Sequence, residues 1–303
     1  MIWITGSKGM LGSELCRLFT ENKIEFTGTG REVSVTDYNA LETFSKGKTP
    51  DFIINCASYT EVDRAEKDIE TARAVNSTGA GNIARLAGKL GVPLIHISSD
   101  YVFGGTDGNE RQNIPYTETS PLSPAGAYGL TKAEGEKAVA SETDAFYILR
   151  TAWLYGFYGD NFVCKMLSAM NSKESVNVVC DQKGTPTNCS TLSKVILNII
   201  QNHTKIPYGI YNVTDLGEAT WFDFAGEIQK FALKAGILKN ESCIIKPCKS
   251  SEYPSPVKRP SYSVLDKSKI MKIPGIILPQ WQESLESFIS SPLINAVSLN
   301  LKK

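Results

Sequence analysis

Histidine is nearly missing from this chain: there are two, His96 and His203, in 303 residues. Seven cysteines form an odd set with no paired Cys-x-x-Cys spacing, and Cys16, Cys56 and Cys164 sit among apolar or small neighbours. Both facts argue against a disulfide framework and a structural zinc site and favour buried, reduced thiols; no metal is assigned. Net charge is missing as well, with 32 basic and 32 acidic side chains and a formal net charge of +0. That balance carries no nucleic-acid footprint and no general attraction to a membrane surface, although a local cluster of cations can still hold an anionic small molecule. No apolar run approaches the length needed to span a bilayer, and no repeat or low-complexity segment stands out. No targeting pattern precedes the first strand, so the expected location is cytoplasmic, with no nucleic-acid or membrane partner.

What is present begins at once. Four of the first five residues, Ile2-Trp3-Ile4-Thr5, are β-branched or aromatic and favour a buried strand. The strand runs into Gly6-Ser7-Lys8-Gly9-Met10-Leu11-Gly12, and from Leu11 to Phe19 apolar residues return at helical spacing. Strand, glycine turn and helix open a dinucleotide-binding unit: Gly6 permits the tight turn, Gly9 lets backbone approach a pyrophosphate, and Gly12 allows close helix–strand contact. The free N–H groups of the helix start would face the phosphates. The spacing is one residue longer in its first gap than the usual fingerprint.

Further along, Ile24–Thr27, Asp51–Ala57, Val92–Ser99 and Phe146–Thr151 read as strands, and 72–90 and 133–140 as helices. Apolar strands alternating with helices predict an α/β fold, a Rossmann-like doubly wound parallel sheet, with ligands at the C-terminal strand ends. The texture changes near residue 155. Residues 1–154 are expected to form the NAD(P)-binding domain. Residues 155–303 are expected to form a smaller, interleaved substrate lobe, some of whose segments return to the sheet. Within that lobe Val176–Cys180 and Tyr208–Val213 read as strands, Trp221–Leu233 as a helix, and 247–262 as extended or looped chain. Residues 104–126, rich in Gly, Asp, Asn and Pro, form a long loop behind a strand end, suited either to cover substrate or to decorate the surface.

Tyr128 and Lys132 stand four residues apart at a helix start, which stacks them on one face. A free phenol, with a pKa of about 10, is a poor proton donor–acceptor at neutral pH. A nearby ammonium stabilises the phenolate and brings proton transfer within reach, and the same lysine can hold a nicotinamide ribose hydroxyl. Ser98 and Ser99 end a strand, where a hydroxyl can face a carbonyl oxygen that gains charge during hydride addition, or can simply cap the loop. His96, inside the apolar run, reads as a packed core residue.

Taken together, these residues resemble the extended short-chain dehydrogenase/reductases and, within them, the dTDP-4-dehydrorhamnose reductases. Ile4 to Gly12 and Tyr128-x-x-x-Lys132 mark the broad superfamily. Three further segments narrow it: Ser99-Asp100-Tyr101-Val102-Phe103, Arg150-Thr151-Ala152-Trp153 and Asp181-Gln182-Lys183-Gly184-Thr185-Pro186-Thr187. The resemblance implies reduction of the 4-keto group of dTDP-4-dehydro-β-L-rhamnose by NADPH or NADH, giving dTDP-L-rhamnose. It also implies Tyr128 as proton donor, Lys132 as the residue that lowers its pKa, and Ser99 in a place where the family usually has threonine. Gly6, Lys8, Gly9, Met10, Leu11, Gly12, Cys56, Ala57, Ser58 and Asn76, with Tyr128 and Lys132, would line the cofactor. Thr60, Ser99, Tyr101, Tyr128 and Trp153 would contact substrate. The acidic residue that the family commonly carries near position 34 is replaced by Ser34-Val35, and the small residue usual at 56 is Cys56.

Three expectations follow from the residues themselves. Arg31, just past the second strand, suits the extra phosphate of NADPH, unless Glu32 and Asp37 reverse the local field. Lys183, Lys258 and Arg259 are candidate cations for a diphosphate, with Arg259 favoured for its directional donors. Trp153 either walls the hexose or fills a core between the lobes. Two alternatives stay open: another nucleotide-sugar reductase or epimerase, and a non-catalytic NAD(P)-binding regulatory subunit like that of methionine adenosyltransferase. A homodimer is left open too.

Overall fold

A computed structural model describes residues 1–105, 113–240, 242–253, 255–257 and 259–294. β1 (Ile2–Thr5) passes through the glycine turn into α1 (Met10–Glu21). β2 (Phe26–Thr29) begins two residues later than its sequence pattern suggests. The Ile24 N–H is spent on Phe19 O at 2.9 Å, closing the helix end, and pairing with β1 starts at Ile2 opposite Phe26. α2 (Tyr38–Ser45) is capped by Asp37, whose carboxylate accepts from the Asn39 and Ala40 N–H groups, and β3 (Phe52–Asn55) follows. α3 (Val62–Ala65) and α4 (Ile69–Arg73) lead through a π-helical turn, Ala74–Thr78, into α5 (Gly79–Leu90). The single helix pattern of 72–90 is therefore interrupted, and the π turn presents Asn76.

β4 (Leu94–Ser99) ends in a 3-10 turn, Asp100–Val102, and α6 spans Gly126–Glu142, well beyond the 133–140 expected. β5 (Phe146–Thr151), β6 (Leu154–Tyr155), α7 (Phe162–Ser172), β7 (Ser175–Val179), β8 (Lys183–Gly184) and β9 (Thr187–Asn188) come next. α8 (Cys189–Asn202), β10 (Gly209–Asn212), β11 (Ala219–Thr220), α9 (Trp221–Lys234), β12 (Ile244–Cys248) and α10 (Trp281–Ile289) complete the elements used below.

Six strands form one parallel sheet in the order β10-β5-β4-β3-β1-β2. Strand alternation divides its side chains between two cores. Ile2, Ile4 and Ile54 pack with Leu15 and Phe19 of α1 and Leu192 and Ile196 of α8, while Trp3, Ile53 and Leu94 pack with Leu41 of α2 and Ile83 and Leu86 of α5. Both faces are buried, as a parallel sheet requires. The chain direction across the sheet reverses between β1 and β3, so a crevice opens beyond their C-terminal ends. A third core joins α7, α9 and α10 through Leu167, Phe224, Ile228 and Leu285. β10 and α8, from the second half of the chain, belong to the large sheet and its covering layer.

Candidate active site

The turn after β1 is built by close backbone contacts. Gly6 has φ +64°, and a Cβ on it would stand 2.6 Å from Ala57 N. A Cβ on Gly12 would lie 2.3 Å from Gly6 O, so α1 can approach β1 only with glycine there. Gly9 starts α1 with no side chain capping the helix, which leaves the first N–H groups pointing into the crevice. This cradle fits a dinucleotide pyrophosphate. Leu11, 6% exposed, turns its side chain into the core, and half-buried Met10 lies beside Gly156 and Asn161. At the end of β2, exposed Arg31 stands beside Glu32, whose carboxylate accepts from Gly30 N–H at 2.7 Å and pairs with Lys8 at 3.5 Å. The Gly30 N–H is the main cause that lowers the Glu32 pKa.

α6 is positioned by two more missing side chains. A Cβ on Gly129 would be 2.2 Å from Tyr101 O, and one on Gly135 would be 2.1 Å from Asn76 O. The helix thus presses against the 3-10 turn and the π turn together, and brings Tyr128 to Ser99 and Tyr101. The Tyr101 and Tyr128 rings meet edge to face at 5.5 Å. Tyr128 keeps partial solvent contact, but the atoms packed around its phenol desolvate it and raise its pKa. Hydroxyls of Ser99 and Ser58 pull that pKa back down, while Asp100 and Tyr101 push it up.

Lys132 is 2% exposed and donates to Ile97 O at 2.6 Å. Burial pulls its pKa down to about 8, against an upward influence from Glu136. In this arrangement serine hydroxyls, rather than Lys132, are the main influences that lower the Tyr128 pKa. Glu136, one turn beyond Lys132, is itself buried. It accepts from Arg150 Nε at 2.9 Å, from an Arg150 terminal nitrogen at 2.7 Å and from Ser98 Oγ at 2.5 Å.

One segment, Cys56-Ala57-Ser58, touches both halves of the site. Ala57 backs onto Gly6, Ser58 faces Tyr128, and Cys56 lies within the electrostatic reach of Lys132. Asn76, 1% exposed, accepts from Ser58 Oγ and Tyr59 N, each at 2.9 Å, and donates to Tyr59 O and Thr131 Oγ1. Its side chain therefore braces this segment against α6. Thr60 is exposed just beyond. His96 is 1% exposed with Nδ1 3.1 Å from Asn55 Nδ2, and burial lowers its pKa well below the ordinary value; it is a core residue, as its apolar surroundings predicted.

Trp153 has φ +45°, in the left-handed region, and stacks on Trp221 at 3.5 Å with 7° between planes. A Cβ on Gly184 would come within 2.6 Å of the Trp153 indole, so the ring lies between β8 and the start of α9. Arg259 donates to Asp63 at 2.9 Å and faces the Tyr101 phenol, which places it at the mouth of the Tyr128 cleft. Lys183 pairs instead with Glu218 at 3.6 Å, and Lys258 lies outside the described residues. Sequence reasoning assigned no role to Asp100, Glu136, Arg150 or Trp221.

Residues 1–293 match the family described as "RmlD substrate binding domain". A dTDP-4-dehydrorhamnose reductase of Streptomyces griseus is 37% identical over 291 residues, covering 94% of this chain and 92% of the relative. The chain belongs to the dTDP-4-dehydrorhamnose reductase family. The crystal structure of a dTDP-4-dehydrorhamnose reductase from Clostridium acetobutylicum superposes with a TM-score of 0.87 at 37% identity, covering 95% of this chain and 98% of that one. A dTDP-4-dehydrorhamnose reductase from Bacillus anthracis, solved in complex with NADP, matches with a TM-score of 0.85 at 33% identity, over 95% and 97% of the two chains. Among the described residues no helix is long and apolar enough to cross a membrane.

Proposed function

We propose that this chain reduces the 4-keto group of dTDP-4-dehydro-β-L-rhamnose with NADPH or NADH, giving dTDP-L-rhamnose. The observation that carries the reading is the Cys56–Ser58 segment, which joins the glycine cradle to the Tyr128 and Lys132 face of α6. The cradle would hold the pyrophosphate of NAD(P)H, which would supply the hydride to the sugar C4. Tyr128 gives its phenolic proton to the ketone oxygen, which becomes the product hydroxyl. Its raised pKa keeps that proton in place at neutral pH until charge develops on the oxygen. Ser99 donates a hydrogen bond to the same oxygen, where a fixed donor is worth most. Ser58, with Ser99, favours the phenolate that remains, and Lys132, on the same helix face, would hold the nicotinamide ribose. Arg259 and Tyr101 line the entrance, and Trp153 with Trp221 forms an apolar wall for the hexose. A cytoplasmic location accords with a substrate and cofactor of this kind.

Tyr128→Phe keeps the ring and removes the transferable proton. Turnover, followed by NAD(P)H absorbance with the dTDP keto-sugar, is expected to fall roughly 10²–10⁴-fold while cofactor affinity stays unchanged. Near-wild-type turnover by the purified variant would sink the assignment. UDP and GDP keto-sugars in the same assay separate this reading from another nucleotide-sugar reductase.

A further inference from the structure

Ser99 carries one proton and so can donate one hydrogen bond at a time. In this structure Ser99 Oγ donates to Asp100 Oδ1 at 3.1 Å and accepts from Tyr101 N–H at 3.2 Å, and the same hydroxyl faces the Tyr128 phenol, toward which it can turn only by leaving Asp100. A hydroxyl so engaged has no donor left for a substrate oxygen. Asp100 is 2% exposed, and among the described residues its other oxygen, Oδ2, closes no hydrogen bond. An acceptor-only carboxylate holds the Ser99 proton; a neutral carboxyl has a proton of its own, donates to Ser99 Oγ and releases the serine O–H toward the cleft.

Building on the active site proposed above, we propose that Asp100 is a positioning residue whose protonation decides whether Ser99 donates inward to Asp100 or outward to the sugar ketone. No atom is exchanged with substrate at this step: one proton stays on the carboxyl and one on the hydroxyl, and only the direction of the two hydrogen bonds changes. Burial raises the Asp100 pKa to about 6, opposed by the Ser263 and Ser99 hydroxyls, of which the Ser99 contact closes as a hydrogen bond. Around the turn stand Tyr101 on the same element and Tyr128, Lys132 and Glu136 on α6. Arg150 lies over Phe103, Tyr116 and Tyr262 pack in the cluster with Val102, and Arg259 is beside Tyr101. Lys132 and Arg150 are engaged with Ile97 O and Glu136, and Arg259 with Asp63, which leaves the carboxyl, among the described residues, without a countercharge in direct contact.

The test compares kcat/KM for reduction of the dTDP keto-sugar from pH 5 to pH 8 in wild type, Asp100→Asn, Ser99→Ala and the double variant. Asparagine presents a permanent donor in place of the neutral carboxyl. The neutral fraction of a group with pKa about 6 falls about tenfold between pH 5 and pH 7, so the ratio of Asp100→Asn to wild type is expected to rise about tenfold over that interval. In the Ser99→Ala background the ratio is expected to stay flat. A flat ratio with Ser99 present, or the same rise without it, overturns the proposal. If Asp100→Asn loses NADPH binding in a fluorescence titration, wild type and Ser99→Ala decide alone: the limb near pH 6 must be present in the first and lost in the second, and its survival in Ser99→Ala overturns the idea. Failure of the enzyme reading itself is distinct, since Tyr128→Phe then remains active at every pH.

Discussion

Replacing Arg150 by methionine removes the only cation that contacts the Glu136 carboxylate, among the described residues, while keeping a long apolar stem of similar reach. The side chains of the pair are 2% and 3% exposed, and two guanidinium nitrogens at 2.9 and 2.7 Å grip both carboxylate oxygens. After the substitution Glu136 keeps the Ser98 hydroxyl and the more distant Lys132 ammonium, but, among the described residues, no cation in contact. Breaking a buried pair from one side costs about 3–5 kcal/mol, because the stranded charge is left desolvated. The Arg150 bond to Glu118 O at 3.2 Å is lost as well. At the few degrees per kcal/mol usual for chains of this size, the melting temperature should fall by on the order of 10 °C. Glu136→Gln/Arg150→Met removes both charges and should recover a large part of that loss, giving a positive coupling in a double-mutant cycle measured by urea denaturation. The same cycle has a catalytic readout. Glu136 raises the Lys132 pKa against burial, so Glu136→Gln should move any Lys132-dependent limb of the kcat/KM profile below its position near pH 8. A cost under about 1 kcal/mol for Arg150→Met alone, or strict additivity of the two changes, would refute the argument that the pair works as one buried unit.

Two further outcomes are expected. For the coenzyme, Arg31→Ala should lower kcat/KM for NADPH by about tenfold and leave NADH nearly unaffected, because an exposed charged hydrogen bond lies at the low end of its range. Glu32→Gln should favour NADPH by withdrawing the carboxylate beside Gly30 N–H; equal effects on both coenzymes would remove these residues from the phosphate end. For stability, burial raises the pKa of Asp215 to about 6, against 3.8 for the free group. Its neutral form is the one the fold favours, so that contribution is full below about pH 4 and lost as pH rises through 6. Asp215→Asn should therefore gain stability over wild type on going from pH 4 to pH 7.5, by up to about 3 kcal/mol, in denaturant melts at the two pH values. A difference that does not change with pH refutes it.

The parallel sheet was legible because strands buried on both faces read as continuous apolar runs, as in Phe52-Ile53-Ile54 and Leu94-Ile95. β2 was misplaced by two residues for the complementary reason. It is an edge strand, Phe26-Thr27-Gly28-Thr29, with one buried position, so its limits are set by pairing with β1 and not by its own hydrophobicity. α6 is longer than its sequence pattern because its first turns, Gly126 to Thr131, are rich in small residues that lie against distant chain, Gly126 against Glu66 and Gly129 against Tyr101, and carry no simple apolar stripe. Within the site, sequence was most informative where a side chain must be missing. Gly6 and Gly12 announce backbone contacts that any Cβ would prevent, and Tyr128 and Lys132 share a face by helical spacing alone. It was least informative for charges. Glu136, four residues beyond Lys132, carries no signal of burial along the chain, yet both are buried, and Glu136 is paired with Arg150 from β5. Asp100 likewise reads as a loop carboxylate until α6 closes over it. A missing Cβ is a property of one residue, whereas the meaning of a charge depends on which distant element covers it; the cradle could therefore be read in one dimension, and the groups that tune the proton donor required the fold.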